Sequence, residues 1–154
     1  MKLYLMQHGD AVPADVDPER PLSEQGRHDV ECLAVFLTQK PFMPTRFIHS
    51  GKVRARQSAE LLAAVCSRAR VEAAEGLAPK DPVEPIRTQV ESWSDDTLLA
   101  GHMPFMGRLA SALLTGNPDS DAVAFQPGSV LCLERSDKEC WRVVWMLRPE
   151  LLDR

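Results

Sequence analysis

Apolar residues recur along this chain in two periods, and the way the periods alternate predicts the order of its elements. Leu3, Leu5 and Met6 lie in a short apolar run, residues 3–6, that stops at Gln7-His8-Gly9-Asp10. A run of that length, cut off by a polar turn with glycine, predicts a buried strand. Pro13, Pro18 and Pro21 then interrupt a charged stretch, residues 11–21, which is expected to be a surface loop. Ser23 can cap a helix, and Val30, Leu33, Ala34 and Leu37 follow at i, i+3, i+4 and i+7. Pro41 and Pro44 end that helix, Arg46–His49 reads as a second strand, and Ser50-Gly51 opens a turn. A helical stripe of Ala55, Ala59, Leu62 and Cys66 predicts a helix over 52–69. Residues 71–94, with Pro79, Pro82 and Pro85, carry the weakest pattern and support only a short helix over 83–93. A strand at 97–100 ends in Gly101-His102-Met103-Pro104. The helix after it turns Met106, Leu109, Ala110, Leu113 and Leu114 inward and stops at Gly116-Asn117-Pro118. Two apolar runs, 130–134 and 141–147, flank the polar turn 136–139 and predict a hairpin.

Strands alternating with helices predict an α/β fold in three layers, α/β/α. Its central sheet is mainly parallel with helices on both faces, and the C-terminal hairpin adds an antiparallel edge. The 154 residues suit a single domain, 1–154, and the 44% apolar share can form a core without disulfide or metal staples. A net charge of −4 argues against nucleic acid as the main partner, because phosphate backbones need a broad basic surface. No apolar stretch approaches the roughly 20 residues of a membrane helix, and no membrane partner is expected. Met1-Lys2 leads straight into the first strand without a signal-peptide pattern, so a cytoplasmic protein with reduced thiols is expected. Cys32, Cys66, Cys132 and Cys140 form no CxxC pair. Three of them fall in apolar patterns and read as buried small hydrophobes. His28 and His49 belong to no motif and are expected to be structural, and Trp93, Trp141 and Trp145 to serve packing. The oligomeric state stays open.

Chemistry concentrates where strands end. Gln7-His8-Gly9, Ser50-Gly51-Lys52-Val53-Arg54 and Gly101-His102-Met103-Pro104 each follow a strand. In a parallel sheet these three clusters share one edge, where open α/β folds bind ligands. Two histidines and an arginine can therefore converge there. Imidazole donors, a guanidinium fork and backbone N–H groups at helix starts suit a phosphate dianion.

Four segments resemble the motifs of the histidine phosphatase superfamily, in order and with matching spacing. Gln7-His8-Gly9 is similar to its Arg-His-Gly signature, and Arg20-Pro21-Leu22-Ser23-Glu24-Gln25-Gly26 to R-P-L-[ST]-x-x-G. Arg54-Ala55-Arg56-Gln57-Ser58-Ala59-Glu60 resembles R-A-x-Q-[ST]-A-E, and Gly101-His102-Met103-Pro104 resembles G-H-x-P. The short length is most similar to the bacterial phosphohistidine phosphatases that act on histidine-phosphotransfer domains.

The resemblance implies that His8 is the nucleophile and carries a transient phosphohistidine. It makes Arg54 the bidentate clamp on the phosphoryl oxygens and His102 a donor to the same group. Arg20 is implied to reach the substrate from the loop. No cofactor and no metal is implied. The expected partner is a phosphorylated protein, such as a histidine-phosphotransfer domain, or a small phosphorylated molecule. Two departures qualify this. Gln7 stands where the family has arginine, leaving an amide in place of a charge, with Lys52, Arg56 and Lys80 as candidate substitutes by position. No general acid stands out among Glu72, Glu75, Asp81 and Glu84. A leaving imidazole, with an unperturbed pKa of about 6.5, needs such an acid less than an alkoxide does. Gln7 keeps a second reading open, that of a degenerate member that binds a phosphorylated partner without turnover.

Overall fold

The computed structural model describes residues 1–152 and resolves them into six strands in one sheet, four α-helices and a short 3-10 turn. The strands are β1 (Lys2–Gln7), β2 (Arg46–His49), β3 (Arg70–Ala73), β4 (Thr97–Gly101), β5 (Val130–Arg135) and β6 (Trp141–Leu147). The helices are α1 (Glu24–Leu37), α2 (Val53–Ala63), α3 (Glu84–Glu91) and α4 (Phe105–Thr115). The sheet order is β3-β2-β4-β1-β5-β6. The first four strands in that order pair in parallel, while β5 and β6 are antiparallel. This is the α/β architecture that the alternation of periods predicts, with the C-terminal hairpin at one edge.

The pleat explains how one apolar run serves two cores, because successive side chains point to opposite faces of a sheet. Leu3 and Leu5 join Leu99, Leu131 and Leu133 beneath Phe105 and Leu109 of α4 and Ile86 and Val90 of α3. Tyr4 and Met6 join Phe47, Leu98 and Cys132 beneath Val30 and Leu33 of α1 and Leu62 of α2. All five residues of β4 are buried, which is why the middle of the sheet reads as unbroken apolar runs. Each fully buried leucine contributes about 1.5–3 kcal/mol relative to exposure.

Helix ends follow local chemistry. Ser23 caps α1, its Oγ accepting from Gly26 N at 3.0 Å. Gly116 ends α4 with φ of 80°, a left-handed geometry that glycine adopts without strain.

Two expectations need correction. The helix drawn over 52–69 ends at Ala63, and the next chain segment forms β3. All four β3 residues are exposed, so no apolar signal marks a strand that backbone pairing with β2 alone defines. Of the thiols, only Cys132 is buried. Cys32 and Cys66 are half-buried and Cys140 is exposed. Cys66 lies beyond the end of α2 and packs, half-buried, against the margin of the core rather than inside it. Among the described residues no helix is long and apolar enough to cross a membrane.

Candidate active site

Strands β2, β4 and β1 lie side by side and run the same way, so the residues that follow them meet at one edge. His8 follows β1, Ser50 follows β2 and His102 follows β4. His8 N donates to Gly101 O at 3.0 Å, carrying the β1–β4 pairing one residue past the strand.

Two contacts fix the tautomer of His8. Its Nδ1 lies 2.7 Å from the Gly9 carbonyl oxygen, which can only accept, so Nδ1 carries the proton. Nε2 is then a lone pair, and Arg54 Nε donates to it at 3.3 Å. Burial lowers the His8 pKa to about 4. The Gly9 contact opposes the shift, and the charges of Arg54 and Arg20 add to it. The ring is therefore a neutral base with its free nitrogen turned toward a guanidinium.

The ring of His102 lies 5.0 Å from that of His8, centroid to centroid, at 58°. His102 is only 2% exposed, and its Nε2 is 2.6 Å from Ser50 Oγ. Burial lowers its pKa to about 3, and the neighbouring His8 ring and the charges of Arg54, Lys52 and Arg20 push the same way. Arg54 sits in the first turn of α2, where backbone N–H groups also point outward. Burial and the neighbouring Arg20 charge lower its own pKa. Arg20 has a φ of 46° in the loop before α1, with its Nε donating to Val12 O at 3.1 Å. His8, Arg54 and His102 all feel its charge. The edge thus gathers cationic groups around two neutral imidazoles.

Gln7 ends β1 with its backbone fully used. Its N donates to Ser129 O at 3.2 Å and its O accepts from Gly128 N at 3.0 Å. Its side-chain Oε1 is buried and has no hydrogen-bond partner among the described residues. Of the three positions weighed as substitutes for the missing arginine, Lys52 is the one whose charge His102 feels. Arg56 faces Glu60 at 3.7 Å on the exposed side of α2, and Lys80 is exposed.

The acidic window is engaged elsewhere. Glu72 pairs with Arg46 at 3.0 Å, Glu84 with Arg87 at 3.3 Å, and Asp81 Oδ2 accepts from Ala78 N at 2.9 Å. Glu75 is exposed. The carboxylate that His8 feels is Asp10, whose Oδ2 accepts from Ser23 Oγ at 2.6 Å.

The remaining motif residues hold the loops to one another. Ser58 Oγ accepts from Gly9 N at 3.0 Å and donates to Arg54 O at 2.8 Å, tying the His8 loop to the helix that carries Arg54. Gln57 Oε1 accepts from Leu22 N at 2.8 Å, and Ser23 N donates to Asp10 O at 2.9 Å. Gly26 has no room for a Cβ, because the Asp10 carbonyl packs against that position. Sequence reasoning gave Asp10, Ser50, Gln57 and Ser58 no individual role. Gln57 and Ser58 stand inside a quoted motif and Ser50 directly after a strand, but their hydrogen-bond partners are 35 to 52 residues away. Among the described residues no group of three or more His, Cys, Asp or Glu side chains is placed to hold a metal ion.

No family model matches the chain. An uncharacterized protein of Picosynechococcus sp. is 32% identical over 123 residues, spanning 75% of this chain and 74% of its own length. The protein histidine phosphatase SixA, solved with tungstate, superposes with a TM-score of 0.84 at 22% identity, over 98% of this chain and 99% of its own. A mycobacterial glucosyl-3-phosphoglycerate phosphatase, solved with VO3, gives 0.72 at 17% identity, over 94% and 98%. The chain thus belongs to one family with the Picosynechococcus protein, and it has the fold of the solved histidine phosphatases.

Proposed function

We propose that the protein is a phosphatase that works through a covalent phosphohistidine on His8, using side chains alone. Its substrate is a phosphohistidine on a histidine-phosphotransfer protein or a small phosphorylated compound. The observation that carries the reading is the His8 ring itself. Gly9 O holds its Nδ1 proton, and the bare Nε2 lies 3.3 Å from a guanidinium that can take up phosphoryl charge. As substrate enters, Arg54 leaves Nε2 and donates to the phosphoryl oxygens instead. Nε2 attacks phosphorus, an N–P bond forms, and the bond to the leaving group breaks with its electron pair. Water then attacks phosphorus and the N–P bond breaks. His8 returns to its neutral form, and inorganic phosphate leaves with the proton that water gives up. Arg54 and His102 offset the charge that builds on the equatorial oxygens.

The leaving group takes its proton from solvent water. With Glu72, Glu84 and Asp81 engaged elsewhere, the site favours a leaving group that departs without a strong acid. Imidazole meets that condition better than an alkoxide. The likeness to a protein histidine phosphatase supports the same substrate class.

Gln7 favours a second reading, a binder of phosphorylated partners with little or no turnover. Replacing a charged contact by an amide costs such a site about 3 kcal/mol, on the order of 100-fold in rate. The test measures turnover of an aryl phosphate and of a phosphorylated histidine-phosphotransfer domain by the native protein, His8→Ala and Gln7→Arg. Turnover by the native protein that His8→Ala abolishes, with a base-stable, acid-labile phosphoryl adduct at His8 trapped by an alkaline denaturing quench, supports the phosphatase. A silent native protein with an active Gln7→Arg variant supports the binder. Turnover that survives in His8→Ala rules out the nucleophile assignment.

A further inference from the structure

Ser50 has no place in the mechanism above, yet it makes the shortest contact to either histidine. Its Oγ lies 2.6 Å from His102 Nε2, across the adjacent strands β2 and β4. Either the ring N–H donates to the hydroxyl or the hydroxyl donates to the ring. The surrounding contacts favour the second. The Ser50 oxygen already accepts from Lys52 N at 3.4 Å, and the only acceptor within reach of its proton among the described residues is His102 Nε2. The pairing that gives the hydroxyl proton an acceptor among the described residues has the hydroxyl donate, and Nε2 is then the lone pair. In a neutral imidazole the proton then sits on Nδ1. That nitrogen is buried and has no hydrogen-bond partner among the described residues, in a side chain that is 2% exposed. A buried, unsatisfied N–H donor beside the nucleophile is what a phosphoryl oxygen, which only accepts, requires.

We propose that Ser50 is a positioning residue that locks His102 as the neutral Nδ1–H tautomer, so that the second histidine presents a donor to the phosphoryl group without carrying charge. This rests on the reading of the edge as a phosphoryl pocket. The depressed basicity of His102 supports it. A ring that stays neutral cannot donate from both nitrogens, so the choice of tautomer decides whether it attracts or repels a phosphoryl oxygen. In the opposite tautomer Nδ1 would turn a lone pair toward that oxygen. Losing the Ser50 hydroxyl therefore does more than delete one hydrogen bond.

The test reads the tautomer directly, without turnover. Long-range 1H–15N correlations of the His102 ring, assigned against His102→Gln, report which nitrogen is protonated. The native protein and Ser50→Thr, which keeps the hydroxyl, are expected to show a protonated Nδ1 and a bare Nε2. Ser50→Ala is expected to show a mixture. A native ring protonated at Nε2, or a Ser50→Ala ring unchanged from native, overturns the proposal. In a second arm, affinity for inorganic phosphate is expected to fall about tenfold in Ser50→Ala and to return in Ser50→Thr. Equal affinity in native and Ser50→Ala proteins overturns the donor role. If the native protein binds no phosphate while its tautomer is as expected, the phosphoryl-pocket reading fails, and the donor role with it.

Discussion

Positions 7 and 8 pull the chemistry in opposite directions: one offers an amide without charge, while the other holds an imidazole fixed by its own loop. Gln7→Arg is expected to raise kcat/KM on an aryl phosphate by roughly 100-fold. An unchanged value would mean that Lys52 or Arg20 already supplies the missing charge. His8 stays neutral because burial outweighs the Gly9 contact. An NMR titration of its ring should give a midpoint near 4. A midpoint close to the unperturbed value of about 6.5 would mean an open, solvated nucleophile. The same shifts bear on stability. His8 and His102 titrate lower in the folded chain, near 4 and near 3, than in the unfolded one. Acid therefore protonates the unfolded state first. Their contribution is intact above about pH 6.5 and is lost as pH falls toward 4 and then 3. Urea unfolding at pH 7.5 and 4.5 should show a smaller acid loss for His102→Gln than for the native protein.

At the scale of elements, the site depends on loops packed against helix starts. The first turn of α1 lies against the Asp10 backbone, and Gly26 is the position that permits it. Gly26→Ala is expected to cost about 1–3 kcal/mol in stability and to displace the loop that carries His8, abolishing any turnover that depends on it. Gly116→Ala is a useful contrast. There the φ of 80° makes alanine costly by about 1–2 kcal/mol, but nothing crowds the side chain and the site lies elsewhere. Thermal denaturation should place the two variants close together while activity separates them. Comparable activity loss in both would point to global destabilisation rather than to the loop. Helix α2 shows a limit of pattern reading at this scale. Its stripe continues in sequence to Cys66, but the chain leaves the helix at Ala63 and pairs β3 with β2.

For the whole molecule, the sheet is what aligns the chemistry. β4 lies between β2 and β1, so His102 stands between Ser50 and His8 only while these three strands keep their register. Leu99, at the middle of β4 and fully buried, secures that register from one face. Leu99→Ala is expected to cost about 2–5 kcal/mol, read by urea denaturation followed through the fluorescence of Trp93, Trp141 and Trp145. A cost below about 1 kcal/mol would mean that the centre of the sheet repacks freely.

The sequence by itself determined the order of strands and helices, apart from β3, and it marked His8, Arg54 and His102 as residues that follow buried strands. It could do so because burial imposes a period on apolar residues, and because a polar cluster at the end of an apolar run is a local event. The tertiary structure alone decided which residues support the three. Ser50 reaches His102, Ser58 reaches Gly9 and Gln57 reaches Leu22 across separations that no local pattern records. It likewise decided that Asp10, rather than the acidic window at 72–84, is the carboxylate His8 feels. Hydrogen bonds between distant loops leave no periodicity in a chain. They exist only once a parallel sheet has brought its strand ends to one edge.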